Sequence, residues 1–163
     1  MRYNRATVLT ASAIMLVQLM TACSGASSKQ KTAAREAIAT LRKIEAAVQV
    51  GSNYQQYGML LIEAKSKVND ANAVLPEGEL KQRLNNAMDA YADAGQVWGM
   101  KISGPNLLPN REPGASFMRK YNLKTKTISA ASLTYLDNDE AMQTMWGAAL
   151  GHLLIAQKLL DEQ

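Results

Sequence analysis

Residues 54–75 read YQQYGMLLIEAKSKVNDANAVL, with apolar side chains recurring at Tyr54, Tyr57, Leu61, Ala64, Val68, Ala71 and Leu75. Steps of three and four alternate along this segment, which is the period of a helix that lays one stripe against a helical neighbour. On the C-terminal side Pro76-Glu77-Gly78 breaks the helix. The same repeat then resumes at Leu80, Leu84, Ala87, Tyr91, Ala94 and Trp98 and runs to about Ile102, before Ser103-Gly104-Pro105. On the N-terminal side Ala34, Ile38, Leu41, Ile44 and Val48 mark an earlier helix that begins near Thr32. Gly51 supplies its stop, and Ser52 with Gln55 reads as a capping box opening the next helix. Near the end of the chain Asp137 and Glu140 form an N-cap pair ahead of Met142, Met145, Ala149, Leu153, Ala156 and Leu160, a helix of about 24 residues.

Short connections make consecutive helices antiparallel neighbours, so the expected fold is all-α: an up-and-down antiparallel bundle of about four helices. Composition agrees, because 47% of the residues are hydrophobic yet only one is Phe and two are Trp, leaving Ala, Leu, Val and Met to fill the core. A chain of 163 residues has room for one such domain. Between helices three and four lies a long loop, irregular from Ser103 to about Lys126 and holding three of the four prolines. Thr127 to Leu136 fits a short helix through Ile128, Ala131 and Tyr135, although its Thr content would suit a strand; the short helix is the expectation. Connections of this length tend to be functional or mobile.

The first 23 residues have a different character. Arg2 and Arg5 precede an apolar stretch from Ala6 to Met20, followed by the small residues Thr21-Ala22-Cys23-Ser24-Gly25. This is the order of a secretory signal, and about 15 apolar residues are too few to span a bilayer, which takes roughly 20. Met20-Thr21-Ala22-Cys23 resembles the lipobox of bacterial lipoproteins, with Met20 where that family usually carries Leu. The resemblance covers only this segment. It implies removal of residues 1–22 and lipidation of Cys23. The polar, small residues that follow read as a flexible tether over residues 23–30, and the helical pattern as a single domain over 31–163. Ser24 after the cysteine resembles the outer-membrane sorting pattern, which implies an outer-membrane protein facing the periplasm. Each acyl methylene buried in the bilayer contributes about 0.8 kcal/mol, so a multiply acylated cysteine anchors stably. The tether, about seven residues long, reaches at most about 25 Å.

A single cysteine excludes internal disulfides and multi-cysteine metal sites. The formal charge is +4, but taking Arg2 and Arg5 from the 18 basic residues leaves 16 against 14 acidic, which argues against a nucleic-acid partner. Nucleophile elbows, zinc-protease and heme-attachment motifs are all lacking, so a non-enzyme without a cofactor other than the lipid on Cys23 is expected. The paired carboxylates Asp89 with Asp93 and Glu77 with Glu79 read as solvated. His152, the sole histidine, reads as packed, and Asp137-Asn138-Asp139-Glu140 reads as a cap rather than a calcium loop, since Ala141 and Gln143 stand where ligands would be needed.

Two features are candidate sites. Gly95-x-x-Trp98-Gly99 and Trp146-Gly147-x-x-x-Gly151 suggest close helix approach or an aromatic over bare backbone, and Tyr91, Trp98, Met145 and Trp146 could wall a pocket for a small apolar ligand. Between Ala94 and Leu136, Lys101, Arg111, Arg119, Lys120, Lys124 and Lys126 face only Glu112, an excess suited to an anionic envelope component or an acidic protein. The leading expectation is a non-catalytic helical interaction module, membrane-tethered at the cell envelope, whose partner is an envelope protein or anionic component. The alternative is a ligand-binding bundle with an aromatic pocket.

Overall fold

The computed structural model describes residues 27–104, 107–129 and 133–163. Four long helices, α1 (Ser28–Val50), α2 (Tyr54–Val74), α3 (Glu79–Ser103) and α5 (Asn138–Asp161), form the bundle. A short helix α4 (Gly114–Tyr121) and strands β1 (Thr125–Ile128) and β2 (Leu133–Leu136) occupy the connection from α3 to α5. The expected all-α, up-and-down bundle is the architecture observed.

Cross-helix bonds fix the directions. Lys43 meets Glu63 and Lys67 meets Glu36, so α1 and α2 are antiparallel. Asn72 bonds Asn85 across α2 and α3, while Lys101 meets Asp139 across α3 and α5. The expected stripe of α2 faces inward: Tyr57, Ala64, Val68, Ala71 and Leu75 are buried, and only Tyr54, at the helix start, is exposed. All six apolar positions expected of α5, from Met142 to Leu160, are buried as well.

Helix ends follow local chemistry. Gly51 takes the left-handed conformation (φ 85°) that ends α1 with little steric cost. α2 is capped by Asn53, whose side chain accepts from the Gln56 backbone N–H at 2.8 Å, and not by Ser52 as the sequence suggested. A capping box does form, but between Ser27 and Gln30, so residues 28–30, expected in the tether, are instead the first turn of α1. Asp137 caps α5 as expected, accepting from Asp139 and Glu140 backbone N–H groups.

The α3–α5 connection departs from the expected loop. Its latter part is an antiparallel hairpin that pairs Thr125 with Leu136 and Ile128 with Leu133, where a short helix was expected. β-branched Thr125, Thr127 and Ile128 are stiff at χ1 and suit an extended, largely exposed strand. Leu136 N–H donates to Leu107 O at 2.8 Å, tying the hairpin to the chain that leaves α3. Beneath it Leu107, Phe117 and Leu136 join Ala94, Val97, Ala141, Met142 and Met145 in a second apolar core. The connection is thus a packed cap over one end of the bundle. No helix among the described residues is long and apolar enough to cross a membrane.

Candidate functional site

Trp98 and Trp146 meet at the capped end, as antiparallel α3 and α5 require, with ring centroids 6.0 Å apart in an edge-on arrangement. Tyr57 completes the cluster, 5.4 Å from Trp98 and 6.2 Å from Trp146, and Tyr54 lies 5.9 Å from Trp98. The Trp146 indole N–H donates to Tyr57 Oη at 3.0 Å, and Tyr57 Oη donates to the Tyr91 carbonyl at 2.8 Å. Burial raises the Tyr57 hydroxyl well above the usual phenol range, so it stays protonated as this donor. Met145 and Tyr91 are buried as well. Of the four residues chosen from sequence, Trp98 and Trp146 are therefore in contact, while Tyr57 of α2 packs against both indoles and bonds the Tyr91 backbone.

The glycines explain how Tyr57 and Tyr54 reach this place. A Cβ on Gly95 would stand 2.9 Å from Leu61 Cδ1 and 3.2 Å from Tyr57 Cε1, and one on Gly99 would stand 2.7 Å from Tyr54 Oη. Aromatic rings of α2 thus lie against bare backbone of α3, one of the two arrangements the Gly/Trp pattern suggested. Gly147 and Gly151 differ: among the described residues nothing lies within 4 Å of a Cβ at either, so they serve no close approach of the bundle helices. The tyrosines were missed because they belong to α2, far in sequence from both Trp motifs.

Trp146, with the buried Tyr91 behind it, lines a groove of about 210 Å³ together with Glu45, Val48, Gln49, Gln143, Gly147 and Leu150. The Tyr91 hydroxyl is buried without a hydrogen-bond partner among the described residues, and burial together with the Glu45 charge holds its proton on. Trp98 and Met145 lie outside this groove's lining.

The basic residues of the connection are largely answered by acids from elsewhere. Lys120 pairs with Asp93 at 2.7 Å, and Asp93 also accepts from Tyr121 Oη at 2.7 Å. Arg119 lies 3.5 Å from Glu112, and Lys126 meets both Asp137 and Glu140. Those bonds raise the Lys126 ammonium and lower the Asp137 carboxyl, which also accepts backbone N–H groups at the α5 start. Lys101 is taken by Asp139. Of the candidate contacts, only Arg111 and Lys124 have no ion partner among the described residues, so the local excess seen in sequence does not persist as a continuous positive face.

Of the paired carboxylates, Glu77 binds Lys81, Glu79 binds Arg83, and Asp93 is engaged as above. His152 joins α5 to α3: its Nδ1 lies 3.2 Å from an Arg83 guanidinium nitrogen, which can only donate, so Nδ1 accepts and the neutral ring carries its proton on Nε2. Burial and the Arg83 and Lys120 charges lower its pKa. No group of three His, Cys, Asp or Glu that could hold a metal exists among the described residues. Cys23 and the cleavage segment lie outside the described residues.

One surface feature was not anticipated. Met59 and Ile62 of α2 are 60% and 75% exposed, an unusual position for large apolar side chains on a helix whose core stripe is already complete. Ile62 edges a groove of about 390 Å³ between α2 and α3, whose wall is formed by Leu61, Met88 and Ala92 together with Lys65, Ser66 and Asp89. Sequence carried a signal for it: Met59 and Ile62 fall outside the Tyr57-Leu61-Ala64-Val68 stripe. Comparison with protein-family models, with curated proteins and with solved structures finds no match to this chain.

Proposed function

We propose that the chain is a membrane-tethered, non-catalytic helical interaction module that docks a protein partner on the α2–α3 face. The observation that carries the docking is the apolar groove edged by exposed Ile62, with exposed Met59 one turn away on α2, since a monomer gains nothing by leaving such a strip in water. Neutralised cations in the connection remove the main support for an anionic component as the partner. Supporting the tether, the lipobox-like Met20-Thr21-Ala22-Cys23 places a lipid attachment point shortly before α1 begins at Ser28. The seat of the anchored domain is then the outer membrane, facing the periplasm.

Two experiments test the halves separately. Cys23→Ser is expected to abolish incorporation of a fatty-acid analogue and to move the protein from the membrane to the soluble fraction; undiminished labelling refutes the anchor. Amine crosslinking in intact cells is expected to yield protein adducts that Ile62→Glu depletes, and adducts indifferent to Ile62→Glu refute the docking face.

A second reading is favoured by one observation, the unpartnered Tyr91 hydroxyl beside the groove that Trp146 walls. A small ligand there that offers an acceptor to Tyr91 would change tryptophan fluorescence. Native mass spectrometry of the freshly isolated protein that shows only bare chain removes this reading.

A further inference from the structure

We propose that the occupant of the α2–α3 groove is the same groove on a second copy of this chain. The inference rests on that face being a docking surface and adds what docks there.

The register of α2 on α3 is set by Tyr57 and Leu61 against Gly95 and by the Asn72–Asn85 hydrogen bond. Continued along antiparallel helices, that register sets Ile62 level with Ala92, Lys65 with Asp89 and Ser66 with Met88, and all six line the groove. Each level pairs unlike with unlike: large with small, cation with anion, small with large. A two-fold axis parallel to the helices, lying in the interface, places α2 of one copy over α3 of the other. Ile62 then enters the space above the other copy's Ala92, Ser66 makes room over the buried Met88, and each Lys65 meets an opposing Asp89. A two-fold axis across the helices would stack lysine on lysine, which like-charge repulsion disfavours.

Charge use within the chain points the same way. On these two helices Glu63, Lys67, Lys81, Arg83 and Asp93 are all engaged in intrachain ion pairs. Lys65 and Asp89 have no such partner among the described residues, although they flank the most exposed apolar strip of α2. An apolar centre with opposite charges at its rim is the anatomy of a specific protein interface, and here the two signs sit on the two helices that a two-fold exchanges.

The test uses two differently tagged copies of the full chain, co-expressed and extracted in mild detergent. Wild-type copies are expected to co-purify. Lys65→Asp paired with itself, and Asp89→Lys paired with itself, are each expected to lose co-purification by about tenfold or more, because each creates like-charge contacts. Lys65→Asp mixed with Asp89→Lys is expected to restore it, since every contact is again between opposite charges, and that recovery also shows that both variants fold. Wild-type copies that fail to co-purify overturn the proposal, as does co-purification indifferent to both reversals. If copies do not associate while Ile62→Glu still removes adducts to a different protein, the docking face stands and the second copy is wrong. Absence of any adduct sensitive to Ile62→Glu removes both.

Discussion

Two buried tyrosines of similar exposure play opposite parts. Tyr57 Oη serves both Trp146 and the Tyr91 carbonyl, so Tyr57→Phe removes the acceptor of the half-buried indole N–H and a second donor to that carbonyl, and is expected to cost about 1–2 kcal/mol. Tyr91 Oη has no hydrogen-bond partner among the described residues, so Tyr91→Phe is expected to leave stability unchanged or raise it by up to about 1 kcal/mol. Urea unfolding of both variants checks the pair, and a large loss in Tyr91→Phe would reveal a partner for that hydroxyl. Glycines divide in the same manner. Gly151→Ala meets open space and replaces a flexible helical residue, for an expected gain of about 0.5–1 kcal/mol. Gly95→Ala drives a methyl into Leu61 and the hydrogen-bonded Tyr57 ring, with an expected loss of about 1–3 kcal/mol. His152 titrates below a free imidazole, because burial and then the Arg83 and Lys120 charges oppose protonation. With the folded pKa the lower of the two, the unfolded chain takes the proton first. Stability is therefore full above the free-imidazole pKa of about 6.5 and falls as pH drops from there toward the folded value. NMR titration should place His152 below free histidine, and Arg83→Gln should raise it; no rise would mean that the Arg83 charge contributes nothing.

At the scale of elements, legibility follows how local the decision is. The α2 stripe was readable because burial along a helix repeats every three to four residues, and its inward positions are those found buried. The left-handed end at Gly51 and the Asp137 cap were readable because one residue decides each. Ser52 and Asn53 are adjacent capping residues, and the choice between them depends on where the chain leaves α1, which no local rule fixes. The β1–β2 hairpin was misread for a similar reason. Its strands are four residues each and its position is held by Leu107, which lies outside the segment. Asp137 joins these elements, capping α5 while binding Lys126 of β1. Asp137→Ala is therefore expected to cost about 1–2 kcal/mol and to loosen the hairpin, seen as faster amide exchange over residues 125–128. Exchange that is unchanged there would show the hairpin to be held by its apolar face alone.

For the molecule as a whole, the site was less legible than the fold, because function lies where the pattern fails. Of the aromatic residues chosen from sequence Trp98 and Trp146 do meet, yet Tyr57 arrives from another helix and packs against both. The basic connection looked charged only because Asp93, Asp137, Asp139 and Glu140 lie just outside the window that contains its cations. Among the described residues the α2–α3 groove keeps Ile62, with Met59 one turn away, in water, and Lys65 and Asp89 on its banks have no ion-pair partner. Under the proposed lipid anchor this face has a restricted set of partners, since a short tether raises the effective concentration only of what lies within reach. The central claim is that this face docks protein, and a photo-reactive amino acid tests it directly when placed at Ile62 in one strain and at Gly151 in another. Gly151 is a suitable contrast because it is exposed on α5 and does not line the α2–α3 groove. On irradiation of living cells the Ile62 position is expected to give a discrete protein adduct and the Gly151 position none. Equal yields at both, or none at Ile62, would contradict the claim.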